Sequence, residues 1–458
     1  MQLTSLGFLF VLLPVGGLIY YFLRGAGRRR FLLGYSLLFV GLLSPLCLLL
    51  LLCGCSAGVG TGAAVEELLR APQLSGRYSQ VQKALNAYLG ESAQLKYPVS
   101  GEEPSPFLFG DWDGDGREDA AVLYACSKGQ NAHLAILEQN DSGWAVTQEV
   151  EGLAPEVESA AAATLEDNQG SQLVVGYGSA QGDRYLAVYS YAAETLETVL
   201  QESYAQYMLE DITGTGVQSL VLITPETPTL KLLLWQDGSY RPVQELALGA
   251  GHFTSCAGLY SGRGAGAGRC IVVDGWTGSA LASDLLYFDR GTGQLRRWQT
   301  AQELYSSTLR THPSLYSDDL LQDGRIEIPV QLSTEEGGMI SGGLERRLAF
   351  IEWRDFSYGS ARGRSFGVLD SEYGFYLALP AQWKGQVNLT EGDTEEMWEV
   401  RSLDGSEVYL TLRLTDLGQA TAGFVRAATI GSQQISIRAG ENVPPEYAAN
   451  LAARVTVL

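Results

Sequence analysis

Apolar residues follow three rhythms along the chain. In residues 1–54 they run almost unbroken, in two stretches at 3–23 and 31–52. Each holds about 20 residues, enough to cross a bilayer core of roughly 30 Å. From about residue 96 to 360 the apolar residues come instead in short runs bounded by Gly, Asp, Asn and Ser, the rhythm of strands and turns. Between these regimes, residues 65–69 and 78–89 (YSQVQKALNAYL) carry helix-like spacing and predict a helical neck. After SYGSARGRSFG at 357–367, which reads as a linker, segment 368–458 returns to strand-like runs (WEVRSL, VYLTLRL, QQISIRAG) before a predicted terminal helix, PPEYAANLAA. The organisation expected is a membrane segment at 1–55, a tether and neck at 56–95, a β body at 96–360 and a small α+β domain at 368–458.

Charge sharpens the membrane reading. Residues 1–54 hold four arginines and no acidic residue, whereas the whole chain has 31 Lys+Arg against 52 Asp+Glu, a net −21. The arginines cluster at 24–30, between the two apolar stretches. Positive charge stays cytoplasmic, so both outer ends of the hairpin, and everything after residue 55, are expected outside. The second stretch ends Leu52-Cys53-Gly54-Cys55, followed by a Gly/Ala/Ser tether. It resembles a bacterial lipobox, which implies lipidation of Cys55; Cys53 stands where a smaller residue is usual, and an uncleaved helical anchor is the alternative. Within the first 40 residues, FLFVLLPVGGLIYYFL and RRRFLLGYSLLF resemble the opening of membrane-bound O-acyltransferases. That family needs many more spans and a buried histidine, so the stretch reads as a fused remnant or as sequence upstream of the true start.

Composition removes several function classes. The acidic excess argues against nucleic acid, whose phosphates need clustered cations. Three histidines (His133, His252 and His312) leave little for a histidine-rich zinc site. Gly363-Arg-Ser365-Phe-Gly367 matches the nucleophile-elbow string, but a strand-like run follows it and no histidine comes later. GRGAGAG at 262–268 lacks the Lys-Ser/Thr and the helix of a phosphate loop. No residue is assigned a catalytic role.

One motif carries chemistry. Residues 107–124, FLFGDWDGDGREDAAVLY, place Asp111, Asp113, Asp115 and Asp119 at positions 1, 3, 5 and 9 of a loop, with Gly116 at position 6. Hard oxygen donors at alternate positions suit Ca²⁺, and position 7, Arg117, offers its backbone carbonyl. Four aspartates in nine residues repel one another unless a cation joins them. Position 12 is Val122, inside an apolar run, so the loop joins strands rather than helices. The segment resembles the FG-GAP/VCBS calcium loops of β-propellers such as the integrin α-subunit head. The resemblance implies a mainly β fold with a propeller of about five blades.

Weaker copies follow at 166–172, 211–219, 261–269 and 319–327. Their centres are about 50 residues apart, the length of a four-stranded blade. An apolar hairpin follows each loop, for example RYLAVYSYAAETLETVL and LKLLLWQDGSYRPVQEL. Ligand character decays along the series: Thr213, Thr215 and Ser219 replace carboxylates in the third copy, and glycines replace them in the fourth. The fifth keeps Asp319, Asp323 and Glu327 but has Leu321 at position 3. One Ca²⁺ site is expected, with a second candidate at Asp319, Asp323 and Glu327.

Cys256 and Cys270 flank the fourth loop. Either they form a disulfide, worth about 3 kcal/mol for a loop of this length, or they are two buried thiols. The phrase EYGFYLALPAQWKGQV at 372–387 resembles the opening strand of PsbP/Mog1-like domains of secreted lipoproteins. Together these features lead us to expect a lipid- or helix-anchored protein on the outer face of a Gram-positive-type cell membrane. It would be a binding or scaffold module for a cell-wall glycan or protein. The alternative is a surface enzyme acting on polysaccharide through carboxylates on the propeller face.

Overall fold

A computed structural model describes residues 76–458, apart from 128, 141–142, 166–170, 193, 237–238, 265–267, 314, 357–360, 395 and 420–421. The two candidate membrane stretches, the lipobox and Cys55 lie outside the described residues; among those described, no helix is long and apolar enough to cross a membrane. Gln80–Leu458 form one compact unit.

The chain is mainly β. After helix α1 (Gly76–Leu89) it forms antiparallel sheets in sequence order. The first sheet contains Phe107–Gly110, Asp119–Ala125, His133–Asn140 and Gly143–Glu151, with Gln94–Leu95 added beside Asp119–Ala125. The second runs Glu156–Ala163, Gln172–Gly178, Arg184–Ala192 and Thr195–Ser203. The third runs Gln206–Glu210, Ser219–Ile223, Thr229–Gln236 and Ser239–Ala247. The fourth runs Ser255–Arg263, Arg269–Thr277, Ala280–Asp289 and Gln294–Arg297. The second to fourth are simple four-stranded meanders.

Burial explains the unbroken apolar runs. Every residue of Gln172–Gly178 and of Ser219–Ile223 is buried, whereas Thr195–Ser203, the last strand of the second sheet, is half exposed. An inner strand is covered on both faces and so loses the polar–apolar alternation of a one-sided sheet. The two faces go to different neighbours. Leu173, Val175 and Tyr177 pack on Ala121 and Leu123 of the first sheet. Val174 turns the other way, with Leu220 and Leu222 of the third. Val221 and Ile223 meet Ile271 and Val273 of the fourth. The first four sheets are thus stacked face to face, each buried aliphatic side chain contributing roughly 1.5–3 kcal/mol. A bulge between the third and fourth strands recurs in the first three sheets, at Ile136/Leu137, Val188/Tyr189 and Leu232/Leu233. Bulges increase local twist.

The fifth sheet departs from the expected division of the chain. Ile328–Gln331 and Leu348–Asp355 are joined in it by Arg362–Asp370, Phe375–Leu379 and the C-terminal Val455–Val457. Arg362–Gly367, read from the sequence as linker, is therefore strand: five residues of Leu348–Asp355, Ile351 to Asp355, pair with it. The boundary expected at 360–368 falls inside that strand. Two buried faces of the sheet drive this. Phe350, Val368 and Leu377 face Trp398, Leu412 and Ile437 of a sixth sheet, in a core that also takes in Cys270 and Val272. Ile351, Trp353, Leu369 and Tyr376 are on the other face, with Leu315. The sixth sheet orders Met339–Ile340, Val387–Glu391, Met397–Ser402, Val408–Asp416, Gln433–Ala439 and Val425–Ile430, with only the first pair parallel. The predicted terminal helix is a single turn, Pro445–Ala448, followed by a 3-10 turn at Leu451–Arg454. Ser365 of the elbow-like string lies in the strand and shares a hydrogen bond with the Tyr376 hydroxyl at 2.9 Å.

The cysteine pairing is also corrected. Cys256 stands opposite Gly275 and Cys270 opposite Gly262, so the two lie toward opposite ends of one hairpin. Five residues of strand separate their positions, about 17 Å, too far for a disulfide. Cys126, Cys256 and Cys270 are free thiols.

Candidate metal centre

The repeated loops sit side by side along one end of the sheets. The Ser171 N–H donates to the Asp111 carbonyl at 3.1 Å, and the Gln218 N–H to the Thr164 carbonyl at 2.9 Å. Glu210 accepts from the Ser261 hydroxyl at 2.6 Å and pairs with Arg269 at 3.4 Å. The Arg263 N–H donates to the Gly324 carbonyl at 2.7 Å. The described residues of the five loops follow one another in a row.

Three of them share a frame built on the position-1 aspartate. Asp111 accepts from the N–H of Gly114 (2.7 Å) and Gly116 (2.9 Å). Asp211 does the same with Gly214 (2.7 Å) and Gly216 (2.8 Å), and Asp319 with Asp323 (2.9 Å) and Gly324 (2.8 Å). Position 6 has φ of 83°, 89° and 81° at Gly116, Gly216 and Gly324, a left-handed conformation that glycine adopts without strain. Residue 2 is a hydrophobic anchor: Trp112 is 1% exposed, so it packs the core rather than offering a face to sugars, and Ile212 is 2% exposed.

Among the described residues, the first loop alone concentrates carboxylates. Asp111, Asp113 and Asp115 place one oxygen each within 4.8 Å of one another. Asp119 stands behind this triad, almost fully buried, and accepts from the Trp112 N–H at 3.1 Å. Burial pushes its carboxyl up to about 6, with repulsion from Asp113, Glu138 and Asp115 adding to it. Burial likewise raises Asp113, with Asp115, Glu138 and Asp111 contributing. Glu138, from strand His133–Asn140, is a fifth carboxylate that loop spacing did not reveal; it is fixed by the Tyr191 hydroxyl. The opposing charge is slight: Arg117, largely exposed, reaches Asp115 at 3.9 Å. A set of oxygen donors with unrelieved mutual repulsion fits a hard divalent cation such as Ca²⁺ and suits zinc poorly.

The other loops handle their charge differently. In the third, burial opposes ionisation of Asp211, but the N–H groups of Gly216, Thr215 and Gly214 outweigh it and hold the carboxyl below its usual range. Thr213 and Thr215 hydrogen-bond each other at 2.9 Å, and the buried Ser219 hydroxyl at position 9 has no partner. Arg290 from the fourth sheet lies over Gly214, whose carbonyl it approaches at 3.5 Å. In the second, the Leu165 N–H donates to Gln172 at 3.0 Å, matching the Trp112–Asp119 bond with a neutral acceptor. That bond sets Thr164 at position 1, one residue earlier than the glycine at 170 suggests. In the fifth, Arg364 pairs with Asp323 and, at 3.4 Å, with Glu327. Two members of the candidate second metal set, Asp323 and Glu327, are therefore already paired with a cation from the chain.

No protein-family model and no curated protein matches the chain. Among solved structures, the crystal structure of Saccharomyces cerevisiae Sqt1 aligns over 76% of this chain and all of that chain, at 9% identity and a TM-score of 0.30. A likeness that slight carries no argument.

Proposed function

We propose that this is a membrane-anchored, extracytoplasmic binding or scaffold protein whose FG-GAP-like blades are stiffened by one Ca²⁺. The observation that supports it most is the row of loops on a common frame. Among the described residues, only the first gathers three carboxylates around one point. Asp111, Asp113 and Asp115, backed by Asp119 and with the Arg117 carbonyl, are the residues to hold the ion. When bound, Ca²⁺ supplies the positive charge that lets these carboxylates stay ionised together. The frame holds Asp111 through the N–H groups of Gly114 and Gly116, and the Ser171 bond passes its position to the second loop.

The blade reading applies best to the first four sheets, whose meanders stack through successive cores. The fifth sheet shares its strands with the C-terminal segment and packs on the sixth, so the expected division into five blades and a separate C-terminal domain does not hold. Membrane attachment rests on the apolar stretches, the Arg24–Arg30 cluster and Cys55. The polysaccharide-enzyme alternative needs two carboxylates facing a shared pocket. The two cavities described offer only Glu446 between them.

Membrane fractions labelled with radioactive palmitate test the anchor: label lost in Cys55→Ala supports lipidation, and unchanged label refutes it. Calcium titration of the full chain, followed by melting temperature, tests the ion; an identical curve with and without chelator would refute it. A glycan and peptidoglycan binding screen with the full chain tests the ligand class, and turnover of a bound polysaccharide would favour the enzyme.

A further inference from the structure

We propose that the fifth loop is a cation site filled from within, the Arg364 guanidinium standing where a divalent ion would sit, so that removing this side chain opens a second metal site. The inference takes only its choice of ion from the calcium reading of the first loop.

Register carries the comparison. Asp319, Asp323 and Glu327 occupy positions 1, 5 and 9, as Asp111, Asp115 and Asp119 do in the first loop. The backbone frame is the same: both oxygens of the position-1 aspartate accept loop N–H groups, and position 6 is a left-handed glycine. The Arg325 N–H donates to Asp323 at 3.2 Å, as the Arg117 N–H does to Asp115 at 2.7 Å. On this shared frame the fifth loop brings the carboxylates of positions 5 and 9 to one common partner.

What stands at that point differs. In the fifth loop Arg364, reaching over from strand Arg362–Asp370, touches both carboxylates. Glu327 is fully buried, and neither of its carboxylate oxygens has a hydrogen bond. Among the described residues, the positive group paired with it is Arg364, at 3.4 Å. Arg263 adds charge nearby: a Cβ on Gly324 would lie 3.1 Å from its guanidinium. Arg325 is diverted to Asp355 at 3.0 Å. The third loop repeats the theme more loosely, with the Arg290 guanidinium in the space a Cβ on Gly214 would take. Arginine suits this role because its charge is permanent and its fork can meet two carboxylates at once. Arg364 also borders a cavity of about 480 Å³, beside Tyr376 and Glu446, so truncating it leaves room for water and an ion.

The test counts Ca²⁺ sites by calorimetric titration of the full chain in detergent, up to the millimolar concentrations typical of extracellular modules. Arg364→Gln is expected to bind one more ion than wild type. Glu327→Ala in the Arg364→Gln background is expected to lose that added ion, and Arg364→Lys to keep the wild-type count. Asp113→Ala with Asp115→Ala reports on the first loop separately. If that loop binds nothing, wild type counts zero and Arg364→Gln one, and the inference stands. A folded Arg364→Gln with the wild-type count overturns it, as does a wild-type ion that Glu327→Ala removes. Should Arg364→Gln not fold, Arg364→Gln/Glu327→Gln cancels both charges. Recovery of the fold then supports the pairing, and failure to recover overturns it.

Discussion

The Trp112 backbone N–H donates to Asp119 Oδ2 at 3.1 Å, tying the hydrophobic anchor of the first loop to its most buried carboxylate. The bond spans seven residues and recurs between Leu165 and Gln172 at 3.0 Å. Because Gln172 makes it without charge, the bond itself is a matter of architecture, and the charge on Asp119 serves something else. Asp119→Asn should keep the acceptor and leave apo stability equal or higher, while weakening calcium binding at least tenfold. Asp119→Ala should orphan a buried N–H and cost about 1–3 kcal/mol with or without metal. Urea denaturation in chelator and in Ca²⁺ separates the two effects.

Acidity of the same carboxyl gives a pH signature. Burial lifts Asp119 from its unfolded value of 3.8 to about 6 in the metal-free fold. A raised carboxyl pKa means the folded state binds the extra proton. Its contribution to stability is full below about pH 4 and is lost as pH rises through 6. In chelator, wild type should therefore lose stability relative to Asp119→Asn between pH 4 and 6, then run parallel to it. Calcium affinity should move the opposite way, falling as pH drops through 6, because the ion competes with that proton.

Calcium should act on the first loop alone. Asp113→Ala plus Asp115→Ala is expected to lower the melting temperature in Ca²⁺ by several degrees. In chelator it should leave the value unchanged or slightly raised, since it relieves repulsion on Asp119. Differential scanning calorimetry under both conditions checks this; an equal drop in chelator would mean the aspartates serve the apo fold.

A buried ion pair anchors the far side of the fourth sheet. Arg310 and Asp274, both fully buried, pair at 3.0 Å, and Ser283 and Ser317 complete the network at 2.5 and 2.8 Å from Asp274. Arg310→Met leaves Asp274 buried without its counter-charge and should cost about 3–5 kcal/mol. Arg310→Met with Asp274→Asn should recover part of that loss, which equilibrium denaturation would detect.

The cysteines give a simple mass readout. Cys126, Cys256 and Cys270 should all take up an alkylating reagent after denaturation without reductant, and the native rate should be slow at Cys270, which is buried. Burial raises its thiol to about 11, so little thiolate is present near neutral pH.

Local chemistry made much of this protein legible. The apolar runs and glycine-aspartate turns sufficed to place the strands of the first four sheets, because strand and turn preferences act over a few residues. The aspartates at 111, 113 and 115 were likewise visible, since a loop that gathers carboxylates around one point must space them along one short segment. Tertiary structure alone decided what lies across space from those segments. Glu138 reaches the first loop from a neighbouring strand, and Arg364 reaches the fifth from a stretch that reads as linker. Gly275, not Cys270, faces Cys256. Strand Val455–Val457 closes the fifth sheet from the chain's last residues. Each depends on pairing register and on which buried face meets which, and those are set by the packing of distant apolar surfaces rather than by any residue's neighbours in sequence.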